Sequence, residues 1–148
     1  TLSNRSKREG NEIRVEIADG LMLDSYPGSL GQVLNNLIIN AMVHGFHERS
    51  QGVIVLRGQA IDEHQLQLIV QDNGVGIAKE NIERIFEPFF TTRLGTGGSG
   101  LGLHICYNII HSILGGTIQV HSEVEVGTSF TIILPRVAPI KVVSVEQK

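Results

Sequence analysis

The chain has 148 residues, 41% of them apolar and 18% charged, with a net charge of -3, 4 Pro and a single Cys. That length and apolar content suit one domain with its own core and exclude disorder or low complexity. No apolar run approaches the ~20 residues of a membrane span, and the scattered Lys and Arg form no basic stripe for nucleic acid; the lone Cys106 excludes an internal disulfide or a cysteine-rich metal site and points to a reducing compartment.

In chain order, Glu12 to Ala18 alternates Ile13, Val15 and Ile17 with charged residues, the pattern of a half-buried strand. Leu21 to Tyr26 is expected to pair with it across the Asp19-Gly20 turn. Pro27 opens a helix predicted to run uninterrupted to about Phe46, with Leu30, Val33, Leu34, Leu37, Ile38 and Ala41 on one apolar stripe. Val53 to Ile61 and Gln65 to Gln71 form a hairpin around Asp62-Glu63-His64, and Glu80 to Phe86 is a short helix candidate. Ser99 to Leu114 predicts a second long helix, closed by Gly115-Gly116. Thr117 to Glu123 and Thr128 to Leu134 are two further strands, and Val142, Val143 and Val145 leave an edge strand open in the tail. The expected domain has a core over about 10–136 and a tail over 137–148. Its fold class is α+β: a two-layer sandwich in which helices cover one face of a mixed, mostly antiparallel sheet. A start at Thr1, with neither Met nor a signal-peptide pattern, suggests excision from a longer protein.

The chemistry concentrates in three places. Asp72-Asn73-Gly74-Val75-Gly76-Ile77 puts a carboxylate at a strand end, followed by two glycines where the backbone turns sharply or approaches a ligand. Gly95-Thr96-Gly97-Gly98-Ser99-Gly100-Leu101-Gly102-Leu103 runs into the second long helix, whose N-terminal N–H groups make an anion cradle. It is neither a dinucleotide fingerprint, which needs a strand before it, nor a P-loop, which needs G-x-x-x-x-G-K. In the first helix, Asn36, Asn40 and His44 share one i, i+4 line at the edge of the apolar stripe, while Asn35 points away. Two amides bordering a core call for a polar ligand or a backbone partner. Between the glycine segments, Phe86-Glu87-Pro88-Phe89-Phe90-Thr91-Thr92-Arg93 gathers three of the chain's 5 Phe, suiting a hydrophobic latch under a lid over about 87–98 or a buried plug.

These segments, in this order, resemble the catalytic domain of sensor histidine kinases, in the GHKL superfamily shared with DNA gyrase, MutL and the heat-shock chaperone ATPases. The resemblance covers Glu12 to Pro135. Gln32 to Ala41 looks like the N box, Asp72 to Ile77 the G1 box, Phe86 to Thr92 the F box, Gly95 to Leu103 the G2 box, and Gly127-Thr128-Ser129-Phe130 the last glycine motif. It implies the Bergerat ATP-binding fold with ATP and Mg²⁺ as cofactors. Asp72 would accept from the adenine amino group, Gly76 would line the base and Thr128 would support the pocket. Asn40 would hold Mg²⁺ with Asn36 beside it, both as catalytic residues. Gly100 and Gly102 would meet the phosphates, and Arg93 is a candidate phosphate contact. Gly74, Ile77, Phe86, Thr91, Thr92, Gly98, Leu101 and Leu103 complete the implied nucleotide-binding set. Many of these kinases have Lys and an aromatic three and four residues after the Mg²⁺ asparagine. Here Val43 and His44 stand there, so His44 is expected to pack on the nucleotide instead.

The implied reaction carries the γ-phosphoryl group of ATP to a histidine on dimerisation helices outside this chain, and then to a response regulator receiver domain. The full-length protein would be a homodimer. The domain would be cytoplasmic, with a membrane anchor left open for the rest. Of the 6 histidines only His47 is followed by Glu, and without a long preceding helix pair it is a surface residue rather than the acceptor. Two relatives within the superfamily compete: an anti-sigma-factor serine kinase and a GHKL ATPase that drives a clamp. Both typically have Glu four residues before the Mg²⁺ asparagine, whereas Asn36 accepts no proton at neutral pH.

Overall fold

The computed structural model describes residues 3–6, 11–46, 51–90 and 101–140. Six strands form one sheet in the order β1-β2-β3-β4-β6-β5: β1 Ser3–Ser6, β2 Asn11–Ile17, β3 Val53–Ala60, β4 Gln65–Asp72, β5 Thr117–Glu123 and β6 Gly127–Pro135. Every neighbouring pair is antiparallel except β2 and β3, which run parallel with Ile13 opposite Ile54. Parallel neighbours need a long crossover. Helix α1, Pro27–Asn40, lies within it. Helix α2, Lys79–Ile82, is one turn, and α3, Gly102–Ile109, packs beside α1. The expected α+β sandwich is therefore present.

Strand alternation decides which face the helices cover. Leu66, Leu68 and Val70 of β4 and Phe130, Ile132 and Leu134 of β6 point inward, into one core with Val33 and Leu37 of α1 and Cys106 and Ile109 of α3. Arg57, Gln59, Gln65 and Gln71 have the opposite parity and are exposed. There Arg57 bonds Glu16 at 3.0 Å and Gln71 at 2.9 Å. Leu37 is 1% exposed, so truncating it to Ala would cost about 2–5 kcal/mol through lost burial and the cavity left behind.

Three boundaries differ from the sequence expectation. Leu21 to Tyr26 makes no hairpin with β2, although the turn at Gly20 is present with φ +74°. Both edges of β2 are already taken, by β1 and β3, so this segment joins residues after β6: Asp24 N–H donates to Arg136 O at 2.7 Å and Ala138 N–H to Asp24 O at 2.8 Å. The predicted Glu80 to Phe86 helix shortens to Lys79–Ile82, because the following N–H groups close three-residue turns and Pro88 disfavours helix at Glu87. The long helices are not α-helical throughout. Each ends in a π turn, Ala41–Gly45 after α1 and Ile110–Leu114 after α3. Phe46 N–H reaches back to Ala41 O at 2.9 Å, and Gly115 stops the second turn with φ +74°. Ser99, His47 and Val142, Val143 and Val145 lie outside the described residues.

Candidate nucleotide-binding site

β4 ends at Asp72, whose side chain turns inward with the core parity of Leu68 and Val70, and which is 7% exposed. Its carboxylate is not left bare. Gly74 N–H donates to Oδ1 at 2.8 Å, and the Thr128 N–H also bonds the carboxylate. Burial outweighs both and holds the Asp72 carboxyl above its ordinary 3.8. A buried carboxylate with remaining lone pairs is primed to accept from a donor outside the protein.

The end of α1 closes one side of this carboxylate. Its π turn brings Gly45 so near that an added Cβ would stand 3.3 Å from Asp72 Oδ1, and Gly45 O accepts Val75 N–H at 2.8 Å. Gly74 faces the Gly45 backbone too closely for any side chain, while Gly76 has φ +79° and lies against the Glu123 carbonyl. The two glycines after Asp72 thus serve backbone packing within the protein as well as the turn. Asn73 Oδ1 accepts Val53 N–H at 2.8 Å, which fixes the loop to the start of β3.

Across the sheet, Asp72 stands opposite Thr128 of β6, and Thr128 opposite Ser122 of β5. Ser122 Oγ accepts Ile77 N–H at 2.7 Å, donates to Gly127 O at 3.0 Å and lies 2.8 Å from Thr128 Oγ1. Neither Ser122 nor Gly45 stood among the residues picked from the sequence. The available signal for Ser122 was parity: it follows Ile118 and Val120 on the inward face of β5, a hydroxyl where an apolar residue is due.

The helix side is built differently. Asn36 Nδ2 donates to Gly102 O at 3.4 Å, and its amide also bonds the Cys106 thiol. It therefore ties α1 to the first turns of α3. Cys106 is fully buried, its Sγ 3.6 Å from Val33 O, and desolvation pushes its pKa up to about 11, so it stays a neutral thiol. Asn40, one turn on, is half-buried and makes no side-chain hydrogen bond among the described residues. Asn35 is exposed, as its helical angle required. The π turn begins just after Asn40, so His44 leaves the straight i, i+4 line expected for it.

Phe86 seats between the helices and the sheet, with ring centroids 5.5 Å from Tyr107 and 6.3 Å from Phe130. His104 Nδ1 lies 3.2 Å from Phe86 O, and its Nε2 lies 3.2 Å from Asn108 Nδ2. A proton on Nδ1 satisfies both contacts. Phe90 lies under the Arg84 guanidinium at 4.5 Å, whereas Phe89 is 70% exposed at φ +67°. Leu101, Gly102 and Leu103 stand at the start of α3. Thr91, Thr92, Arg93, Gly98 and Gly100 lie outside the described residues, as does most of the expected lid.

A family described as histidine kinase-, DNA gyrase B- and HSP90-like ATPase matches residues 26–138. The chain belongs to that ATPase family. The sensor histidine kinase RcsC of Escherichia coli strain K12 is 40% identical over 119 residues, covering 76% of this chain but only 12% of that protein. The catalytic domain of histidine kinase ThkA superposes with a TM-score of 0.74 at 29% identity, covering 88% of this chain and 84% of that one. A structure of ThkA with the response regulator TrrA matches at 28% identity and TM-score 0.70, covering 88% of this chain and 35% of that one. This ATPase-family chain is thus similar in sequence and fold to sensor histidine kinases and their catalytic domains, and it spans a small part of its curated relative RcsC. No helix among the described residues is long and apolar enough to cross a membrane.

Proposed function

We propose that this domain binds Mg²⁺-ATP with its adenine against Asp72 and presents the γ-phosphoryl group to a histidine carried on dimerisation helices outside this chain. The observation that carries the reading is the buried Asp72 carboxylate abutting the turn, Ala41–Gly45, that follows Asn40. A carboxylate accepts from adenine's amino group and repels guanine's carbonyl oxygen, so the pocket floor selects the base. The donor set also fits the metal. Among the described residues no three His, Cys, Asp or Glu side chains gather into a cage. Magnesium at a nucleotide takes one or two protein oxygens beside phosphates and waters, and the Asn40 amide oxygen is such a ligand. Bound there, the cation would neutralise phosphate charge.

The protein's own part in such a transfer is positioning and water exclusion. Asn36 holds the first turns of α3 against α1, keeping the N–H groups at Gly102 and Leu103 aimed at the phosphate region. His104 and the ring of Phe86 fasten the preceding turn to α3. With Asn36 engaged by α3 and unable to take a proton, the acceptor and any base come from elsewhere, which favours histidine transfer over hydrolysis. A receiver domain as next acceptor is supported by the likeness to ThkA, whose structure was solved in complex with the response regulator TrrA. The whole protein is inferred to be a homodimer.

The test is direct. Titration calorimetry should show Mg²⁺-ATP binding that exceeds Mg²⁺-GTP by at least about tenfold, the worth of one hydrogen bond to a charged group. With labelled ATP and a supplied histidine-bearing helical domain, acid-labile phosphate should appear on that domain and not on this chain. Rapid phosphate release without transfer would instead support a clamp ATPase.

A further inference from the structure

Ser122 of β5 and Thr128 of β6 form a hydroxyl pair beside the Asp72 carboxylate. Resting on the reading above, we propose that Ser122 is a specificity-determining residue: it fixes the direction of the Thr128 hydroxyl so that the pocket beside Asp72 presents acceptors only.

Ser122 Oγ has one hydrogen and two lone pairs. Ile77 N–H occupies one lone pair at 2.7 Å, and the Ser122 hydrogen goes to Gly127 O at 3.0 Å. What remains at Ser122 is one lone pair, with Thr128 Oγ1 at 2.8 Å. That contact is a hydrogen bond only if Thr128 donates. The reverse arrangement would take the Ser122 hydrogen away from Gly127 O. Thr128 is 7% exposed, and a buried hydroxyl leaves no donor idle. Its proton is therefore spent toward β5, and toward the pocket Thr128 Oγ1 offers lone pairs alone.

Asp72 is the cross-strand neighbour of Thr128 on the same face. An ionised carboxylate and an oriented hydroxyl together form a two-oxygen acceptor surface. Such a surface suits an exocyclic amine, which brings hydrogens, and disfavours a carbonyl at the same ring position, which brings only lone pairs. Without Ser122 the Thr128 proton is released. It then turns toward the pocket as a donor that a 6-oxo purine accepts. Ser122 touches no nucleotide in this scheme and acts through Thr128, so it is a positioning residue.

The test compares ATP with inosine triphosphate, whose base carries a carbonyl for the amine at C6 and a proton on the neighbouring N1, by calorimetry with Mg²⁺ on the intact chain. Wild type should favour ATP by at least about tenfold. Ser122→Ala should lose most of that preference, chiefly by gaining affinity for inosine triphosphate, while Ser122→Thr, which restores the acceptor, should keep it. A purely structural serine would weaken both nucleotides alike and leave the ratio unchanged, and that result overturns the proposal. Should Ser122→Ala not fold, Ser122→Cys makes the same comparison, because a thiol is nearly isosteric but a weak acceptor. Failure of wild type to bind ATP would sink the functional reading instead, which keeps the two failures distinct.

Discussion

The two ends of the site solve different problems. At the sheet end, Asp72, Thr128 and Ser122 lie in one row across three hydrogen-bonded strands, and Asp72 Oδ1, Thr128 Oγ1 and Ser122 Oγ each have a partner inside the protein. At the helix end, Asn36 is committed to α3, but Asn40 makes no side-chain hydrogen bond among the described residues, beside a π turn. Base recognition needs a rigid pattern of acceptors, which a strand row supplies. Phosphate and metal handling needs a ligand whose partner arrives with the nucleotide. A hydrogen bond from Asn40 to the protein would have to be broken first.

The largest effect that separates the two ends is expected from Asn40→Ala. Mg²⁺-dependent ATP affinity should fall at least about tenfold, since a ligand to a charged centre is lost, while the melting temperature stays close to wild type because the Asn40 side chain bonds nothing among the described residues. A large drop in melting temperature with affinity kept would make Asn40 structural and break the contrast.

Asp72→Asn tests the sheet end, where binding and stability should move in opposite senses. ATP preference over GTP should collapse. Burial raises the folded-state pKa of Asp72 above 3.8, so the folded protein holds this proton more tightly than the unfolded chain does. The stability tied to the group is fully present below 3.8 and is lost as pH rises through the raised value. The Asn variant has no such titration. Wild type should therefore lose melting temperature relative to the variant as pH rises from 3.8 through that raised value. A difference that grows in the other direction would mean that the N–H groups of Gly74 and Thr128 outweigh desolvation.

A subtler contrast lies within α1. Asn36→Ala removes the bridge to Gly102 and leaves a half-buried carbonyl less well satisfied, so a loss of about 1–3 kcal/mol in denaturant unfolding is expected, with ATP binding weakened as α3 loosens. Asn35→Ala, exposed on the same helix, should change stability by no more than a few tenths of a kcal/mol, in the stabilising direction. Equal damage from both would dissolve the distinction between them.

The smallest expected signal concerns Cys106. Its thiol, buried and shifted to about 11, should resist alkylation in the folded protein and react only on unfolding. Rapid modification under native conditions would show that the α1–α3 seam opens.

Most of this fold was legible in the chain itself, because its signals are local. Alternation in Gln65 to Gln71 and helical spacing from Leu30 to Ala41 name strand and helix without reference to anything distant, and Asp72 at a strand end marked the carboxylate. What tertiary structure alone decided was pairing and proton direction. Leu21 to Tyr26 has no local reason to choose residues after β6 over β2, and the choice follows only once β1 and β3 occupy both edges of β2. Likewise nothing around Asn36 says that its amide will face Gly102, 66 positions away, rather than a nucleotide. Nor does the sequence place Ser122 against Thr128 until two strands set the register. Hydrogen-bond assignments depend on which groups burial brings together, and burial is a property of the folded whole.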